Sequence, residues 1–379
     1  MNTTDFTKTY YINRRGTHSR KWDGEHLKFS RTDLLPLWVA DMDFMTPPCL
    51  QEAIANYVKT TPLGYTMTNL SKDWLTSAPN VITGIMWCIG AFTKPNDAIA
   101  VLSPVYGAFD TSTSDAQRHI VPMAMRRTTD NRYTVDYDAF ESTIIQQDVK
   151  LFIHCNPHNP VGHVWTEAEM AQLFSICKCH DVLIISDEIH QDLITGPIPF
   201  RSALSVSNGA YADNMITMSS VSKSFNMASL HHAEVIIPND ELRSQYNTYK
   251  VLVYHTDSDV IAEAAITVAY THPEAETWLN AALTVIRENY EYLCRELLSA
   301  LPKLRISPMN GTYLAWIDFG AYVKADDMHD VFENQCRIAP SFGEWFGGES
   351  YATFVRLNLA TSLTNIKVAT HSIIEHIQP

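Results

Sequence analysis

Five short apolar runs, several with a polar cluster directly behind them, constrain this chain more than any other feature. The runs Ala98–Leu102, Leu151–Cys155, Val182–Ser186, Met215–Ser219 and Val235–Ile237 are too short for buried helices and read as buried parallel strands. Between the second and third, Thr166–His180 reads as a helix that opens with Thr166 and Glu169 in capping-box spacing. Strand and helix in alternation predict an α/β fold whose mostly parallel sheet is covered on both faces. Ligands in such folds sit beyond the carboxyl ends of strands, which is where the polar clusters fall. From about Glu274 the pattern changes. A long helix over Trp278–Leu301 stops at Pro302, and Thr312–Trp316, Arg337–Ala339 and Phe354–Asn358 read as short segments before a last helix near Leu363–Ile377. The expected organisation is a large domain over 46–273 and a smaller α+β domain built from 1–45 and 274–379.

Of the 379 residues, 46% are hydrophobic and 18% charged, enough to bury two cores in one continuous unit. A net charge of −14 argues against nucleic acid or an anionic membrane as partner. The polar start MNTTDFTKTYYINRRG has no apolar signal core, and no run approaches the roughly 18 apolar residues of a membrane span, so a cytoplasmic protein is expected. The seven cysteines show no CxxC pair and read as buried free thiols in a reducing compartment. The histidines form no HExxH or Cys/His ligand spacing, so no metal is expected.

Three polar clusters carry the chemistry. NPHNPVG (156–162) follows LFIHC, and its two prolines hold Asn159 rigidly with the side-chain amide free. Asp187 ends VLIISD; a carboxylate there either caps a helix or pairs with a cation, of which a pyridinium nitrogen is one suitable kind. Lys223 lies in SSVSKSFNM, just past another strand, among small hydroxyl residues and beside Phe225. Desolvation at such a place lets a lysine shed its proton and attack a carbonyl. The neighbouring serines offer uncharged donors for a phosphate.

The order NPHNPVG, SDEIH, SSVSKSFN, FVRLNLA resembles fold-type I pyridoxal-phosphate enzymes of the class I/II aminotransferase superfamily, which have the aspartate aminotransferase-like fold. INRRGTHSRKWD and LPLWVADMDF look like the MalY/PatB group of cystathionine β-lyases, and SPVYGAF and NGTYLAWIDF spread the likeness over nearly the whole chain. The resemblance implies pyridoxal 5′-phosphate bound covalently on Lys223, which would also move the α-proton of an amino-acid substrate. Asp187 would face the pyridine nitrogen, Asn159 the phenolic oxygen and Tyr106 the ring face. Ser220 and Ser222, with Asn80 and Val81 at a helix start, would hold the phosphate. Arg356 would grip the substrate carboxylate as a planar fork, and the backbone at Ala40 would meet the substrate. Tyr65 would reach the phosphate of a neighbouring subunit, which implies a homodimer with shared sites. His190 stands where aminotransferases carry a tyrosine.

The implied reaction is β-elimination from L-cystathionine or another cysteine S-conjugate. Transamination by the same residues is the alternative, and a regulatory protein keeping this fold is a second one. Two departures from the family pattern stand out. Asn80 replaces the usual glycine before Val81, where its side chain could crowd a phosphate and where a residue tolerant of positive φ is expected. Between Tyr65 and Trp74 the chain is also short, by roughly one helix and its turn.

Overall fold

A computed structural model of the chain describes residues 2–64, 72–254 and 259–378. Its main sheet has seven strands: β1 (Leu75–Ala78), β2 (Ala98–Ser103), β3 (His119–Ala124), β4 (Val149–Cys155), β5 (Leu183–Asp187), β6 (Met215–Ser219) and β7 (Ala233–Ile236). They lie in the order β1-β7-β6-β5-β4-β2-β3. The run from β3 to β6 is parallel throughout. Strand β7 corrects the sequence reading of a parallel Val235–Ile237, because it runs antiparallel to both β6 and β1. The segment joining β6 to β7 holds only the four-residue helix Val221–Ser224, not the full crossover helix that usually links parallel strands.

The strands are as apolar as a doubly covered sheet requires: every residue of β2, β5 and β6 is buried. Helix α1 (Val81–Phe92) packs on one face through Ile85, Cys88 and Ile89, in a cluster with Ile99, Ile153 and Ile185. Helix α2 (Glu167–Cys179) packs on the other through Met170, Leu173, Phe174 and Cys177. Its capping box forms in full, the Thr166 hydroxyl accepting from the Glu169 amide and the Glu169 carboxylate from the Thr166 amide.

A second, antiparallel sheet of β8 (Arg305–Ile306), β9 (Leu314–Asp318), β10 (Ser341–Phe342) and β11 (Phe354–Asn358) has the order β8-β9-β11-β10. The long helix Pro273–Ala300 and the last helix Leu363–His376 contribute to its core, together with amino-terminal residues such as Phe6, Trp38 and Phe44. A two-residue parallel ladder, Leu35–Pro36 against Ile338–Ala339, ties the amino-terminal segment to this layer.

Five of the cysteines are buried free thiols as expected, but Cys179 is exposed at the end of α2 and Cys294 is half-buried. Among the described residues no helix is long and apolar enough to cross a membrane.

Candidate active site

Three neighbouring parallel strands deliver their last residues to one edge. Cys155 pairs with Asp187 between β4 and β5, and Asp187 with Met218 between β5 and β6. The turns beyond are stitched together: the Asn156 amide donates to the Asp187 carbonyl at 2.9 Å, and the Glu188 amide to the Met218 carbonyl at 2.7 Å. The three polar clusters of the sequence therefore become adjacent through strand register alone.

Asp187 is buried, and its carboxylate accepts from the Ile189 amide at 3.0 Å. No lysine or arginine forms an ion pair with it among the described residues. Burial pushes its carboxyl up to about 6, against a smaller downward pull from the Ile189 amide and Lys223. Lys223 stands in a one-turn helix, Val221–Ser224, and burial pulls its amine below the ordinary lysine value. Asp41 and Asp187 act against that pull, and Arg356 acts with it. The amine donates to the Ala40 carbonyl at 2.7 Å.

At the expected phosphate end the residues differ in how free they are. The Ser220 hydroxyl donates to the His232 carbonyl at 2.8 Å and accepts from the Ser222 amide at 3.2 Å, so its proton is committed to the fold. The Ser222 hydroxyl has no such partner among the described residues. Asn80 corrects the expectation of positive φ: its backbone is extended, φ −163°, which any residue adopts, and its side chain caps α1 by accepting from the Thr83 amide at 2.9 Å. That cap leaves the first amides, of Val81 and Ile82, at the positive end of a helix dipole without a protein partner among the described residues. Tyr65 lies outside the described residues. Tyr106 is 39% exposed and within electrostatic reach of both Arg356 and Asp187.

Arg356 comes from the other sheet. Its Nη1 donates to Asn159 Oδ1 at 3.0 Å, and its Nη2 to the Trp38 carbonyl at 2.8 Å and Ser341 Oγ at 2.9 Å. The guanidinium also lies over the Phe346 ring at 4.8 Å. Burial pulls it down to about 10, with Tyr106 and Tyr313 acting against the fall. Since Asn159 accepts from Arg356 with its oxygen, its amide nitrogen remains a free donor among the described residues. His190 is buried and packs edge-on to Tyr313, ring centres 5.9 Å apart. Burial, then the charges of Lys223 and Arg356, hold it neutral with its pKa near 3.

Several residues of this site carried no local signal in the sequence. The Tyr313 hydroxyl donates to the same Ala40 carbonyl as Lys223, at 2.9 Å. Ser341 and the Trp38 carbonyl hold Arg356 from 15 and 318 residues away. Glu188, beside Asp187, is buried and pushed up to about 7, and it accepts from the Ala203 amide at 2.7 Å. Only its place inside SDEIH could have drawn attention to it.

These groups fit pyridoxal phosphate. Asp187 is a buried carboxylate lacking a cation, Lys223 an amine biased toward its neutral form, and Asn159 a fixed donor. The bare amides of Val81 and Ile82, with Ser222, suit a phosphate.

The family model for aminotransferase class I and II matches residues 42–373. Cystathionine β-lyase PatB of Bacillus subtilis is 32% identical over 93% of this chain and 95% of its own. Protein MalY of Escherichia coli is 28% identical over 99% of each. Among solved structures, a pyridoxal-phosphate-bound C–S lyase from Staphylococcus hominis superposes with a TM-score of 0.88 at 28% identity, over 97% of this chain and 96% of its own. Cystalysin from Treponema denticola, which contains pyridoxal 5′-phosphate, gives 0.91 at 27% identity over 98% of each. Sequence, fold and site agree: the chain belongs to the class I and II aminotransferase family of pyridoxal-phosphate-dependent enzymes.

Proposed function

We propose that the protein is a C–S β-lyase that converts L-cystathionine, or a related cysteine S-conjugate, and water to a thiol, pyruvate and ammonia. The full-length likeness to proteins named cystathionine β-lyase carries the choice of reaction. The site supplies the means. Arg356, relieved of part of its present partners, takes the substrate carboxylate through two parallel hydrogen bonds. Bound pyridoxal phosphate supplies an electron sink for the α-carbon. Asp187 would favour a protonated ring nitrogen, and the Asn159 amide would hold the phenolic oxygen. Lys223, biased toward the free amine by burial, accepts the α-proton. The electron pair of the broken C–H bond expels the β-sulfur as thiolate, which takes up a proton. Water then releases the remaining three carbons as pyruvate and the nitrogen as ammonia. His190, held neutral, adds no charge near the phenolic oxygen.

We also infer a cytoplasmic homodimer. Val58, Leu63, Trp74, Val251 and Leu252 leave between 42% and 72% of their surface exposed, apolar area that a second copy would cover.

The test is product analysis with L-cystathionine and no added keto acid. Equimolar pyruvate and free thiol are expected. If neither forms, yet an amino group moves once a keto acid is supplied, the reading is replaced by transamination.

A further inference from the structure

The loop of residues 38–42 has an unusual hydrogen-bond pattern. Each of its five successive carbonyls takes at least one side-chain donor, and for every one of them a donor comes from one of two places. Trp38 O accepts from Arg356 and Ser341, Val39 O from Asn358 at 2.6 Å, and Ala40 O from Lys223 and Tyr313. Asp41 O accepts from Asn358 again at 2.6 Å, and Met42 O from Asn226 at 2.9 Å and Arg14 at 3.1 Å. Asn358 stands two residues past Arg356 on the same strand, and Asn226 three residues past Lys223 in the same turn.

Each asparagine is itself held. Asn358 is fully buried; its amide donates to Leu37 O at 2.9 Å and its Oδ1 accepts from the Ala360 amide at 2.8 Å. Asn226 accepts from the Met42 amide at 2.9 Å and donates a second time, to Phe44 O, at 2.8 Å. Behind the loop lies a fully buried ion pair, Lys21 with Asp43 at 3.0 Å, which the Trp22 indole joins at 2.8 Å.

Buried carbonyls need donors, but water or neighbouring amides would serve that need. Here every carbonyl has as a donor one of the two basic groups of the site or the asparagine that follows it in sequence, with Ser341, Tyr313 and Arg14 adding three more. We propose that residues 38–42 form a common mount setting the separation of Lys223 and Arg356, and that Asn358 and Asn226 are positioning residues acting through it. This rests on the assignment of Lys223 and Arg356 to proton transfer and carboxylate binding. It does not depend on which bond the substrate loses.

The experiment uses L-alanine, which has no β-leaving group and so reads geometry whether the protein is a lyase or an aminotransferase. Asn358→Ala, at the Arg356 end, raises the dissociation constant for alanine about tenfold. Asn226→Ala, at the Lys223 end, slows exchange of alanine's α-proton in D2O about tenfold with smaller loss of binding, as misplacement by a fraction of an ångström implies. Both keep the visible band of the bound cofactor and its affinity within about threefold. In the cofactor-free protein, amide hydrogen exchange across 37–45 speeds up in both variants while the strands Leu183–Asp187 and Met215–Ser219 stay protected. If Asn358→Ala does not fold, Asn226→Ala and its exchange data decide alone. The proposal is overturned if alanine binding and α-exchange stay at wild-type values despite a loosened loop. It is equally overturned if losses in both track nothing but lost cofactor. Failure of cystathionine to yield pyruvate would sink the lyase reading and leave these outcomes readable.

Discussion

The two walls of the site treat charge in opposite ways. On the wall made by the parallel sheet, Asp187 is buried with one backbone donor and, among the described residues, no cation in contact, so its carboxyl rises to about 6. On the wall made by the antiparallel sheet, Arg356 is equally buried but held by Asn159, Ser341, the Trp38 carbonyl and the Phe346 ring. The first wall lacks a partner that a bound pyridinium would supply. The second already provides the contacts that a substrate carboxylate must partly displace. Cofactor binding should therefore be tight and stabilising, and substrate binding an exchange of similar hydrogen bonds with a modest net gain.

The substitution that breaks this contrast most completely is Lys223→Ala. It should abolish the visible absorption of the bound cofactor, and a band surviving it would show that another group holds the cofactor. Next comes Arg356→Lys, which loses the planar fork: dissociation constants for amino acids should rise about 100-fold with cofactor affinity nearly unchanged. Equal losses of both would mean that Arg356 supports the fold rather than the ligand.

Asp187→Asn sharpens the contrast through stability. A folded-state value above the ordinary one means that the protonated form favours folding, so the contribution is full below about 4 and fades as pH rises through about 6. The cofactor-free variant, with no carboxylate to bury, should be more stable than wild type at pH 8 by about 3 kcal/mol in urea titration, and about equal at pH 4. Yet it should bind cofactor more weakly. A variant less stable at pH 8 would show that the carboxylate is already satisfied without a cation. Ser341→Ala should have the smallest effect: it removes one of Arg356's holders while leaving Asn159 and the Trp38 carbonyl, so amino-acid affinity should change about threefold or less by spectral titration.

Sequence and structure agree best where chemistry follows a strand directly. Asn159, Asp187 and Lys223 each lie within five residues of a strand end, so alternation and polarity were enough to bring them to one edge. The direction of Val235–Ile237 was not legible, because an apolar run reads the same whichever way it travels, and the connection before it holds only a four-residue helix in place of a crossover helix. The surroundings of Arg356 were invisible for another reason. Its holders are a carbonyl 318 positions away, which every residue possesses, and two side chains brought close by folding from 15 and 197 positions away. Asn80 was misjudged because glycine in a relative suggests positive φ, whereas here an extended cap meets the same need with a side chain.

Because Lys223 and Arg356 rest on main-chain oxygens of Ala40 and Trp38, the side chains at those positions are not what holds them. Substitution at the half-buried Val39 or Ala40 can reshape the wall that a substrate meets without removing the carbonyls behind it, whereas Trp38 and Met42 are part of the core. A lineage could thus change its preferred amino-acid substrate by drift at these positions, and its catalytic apparatus would need no compensating change.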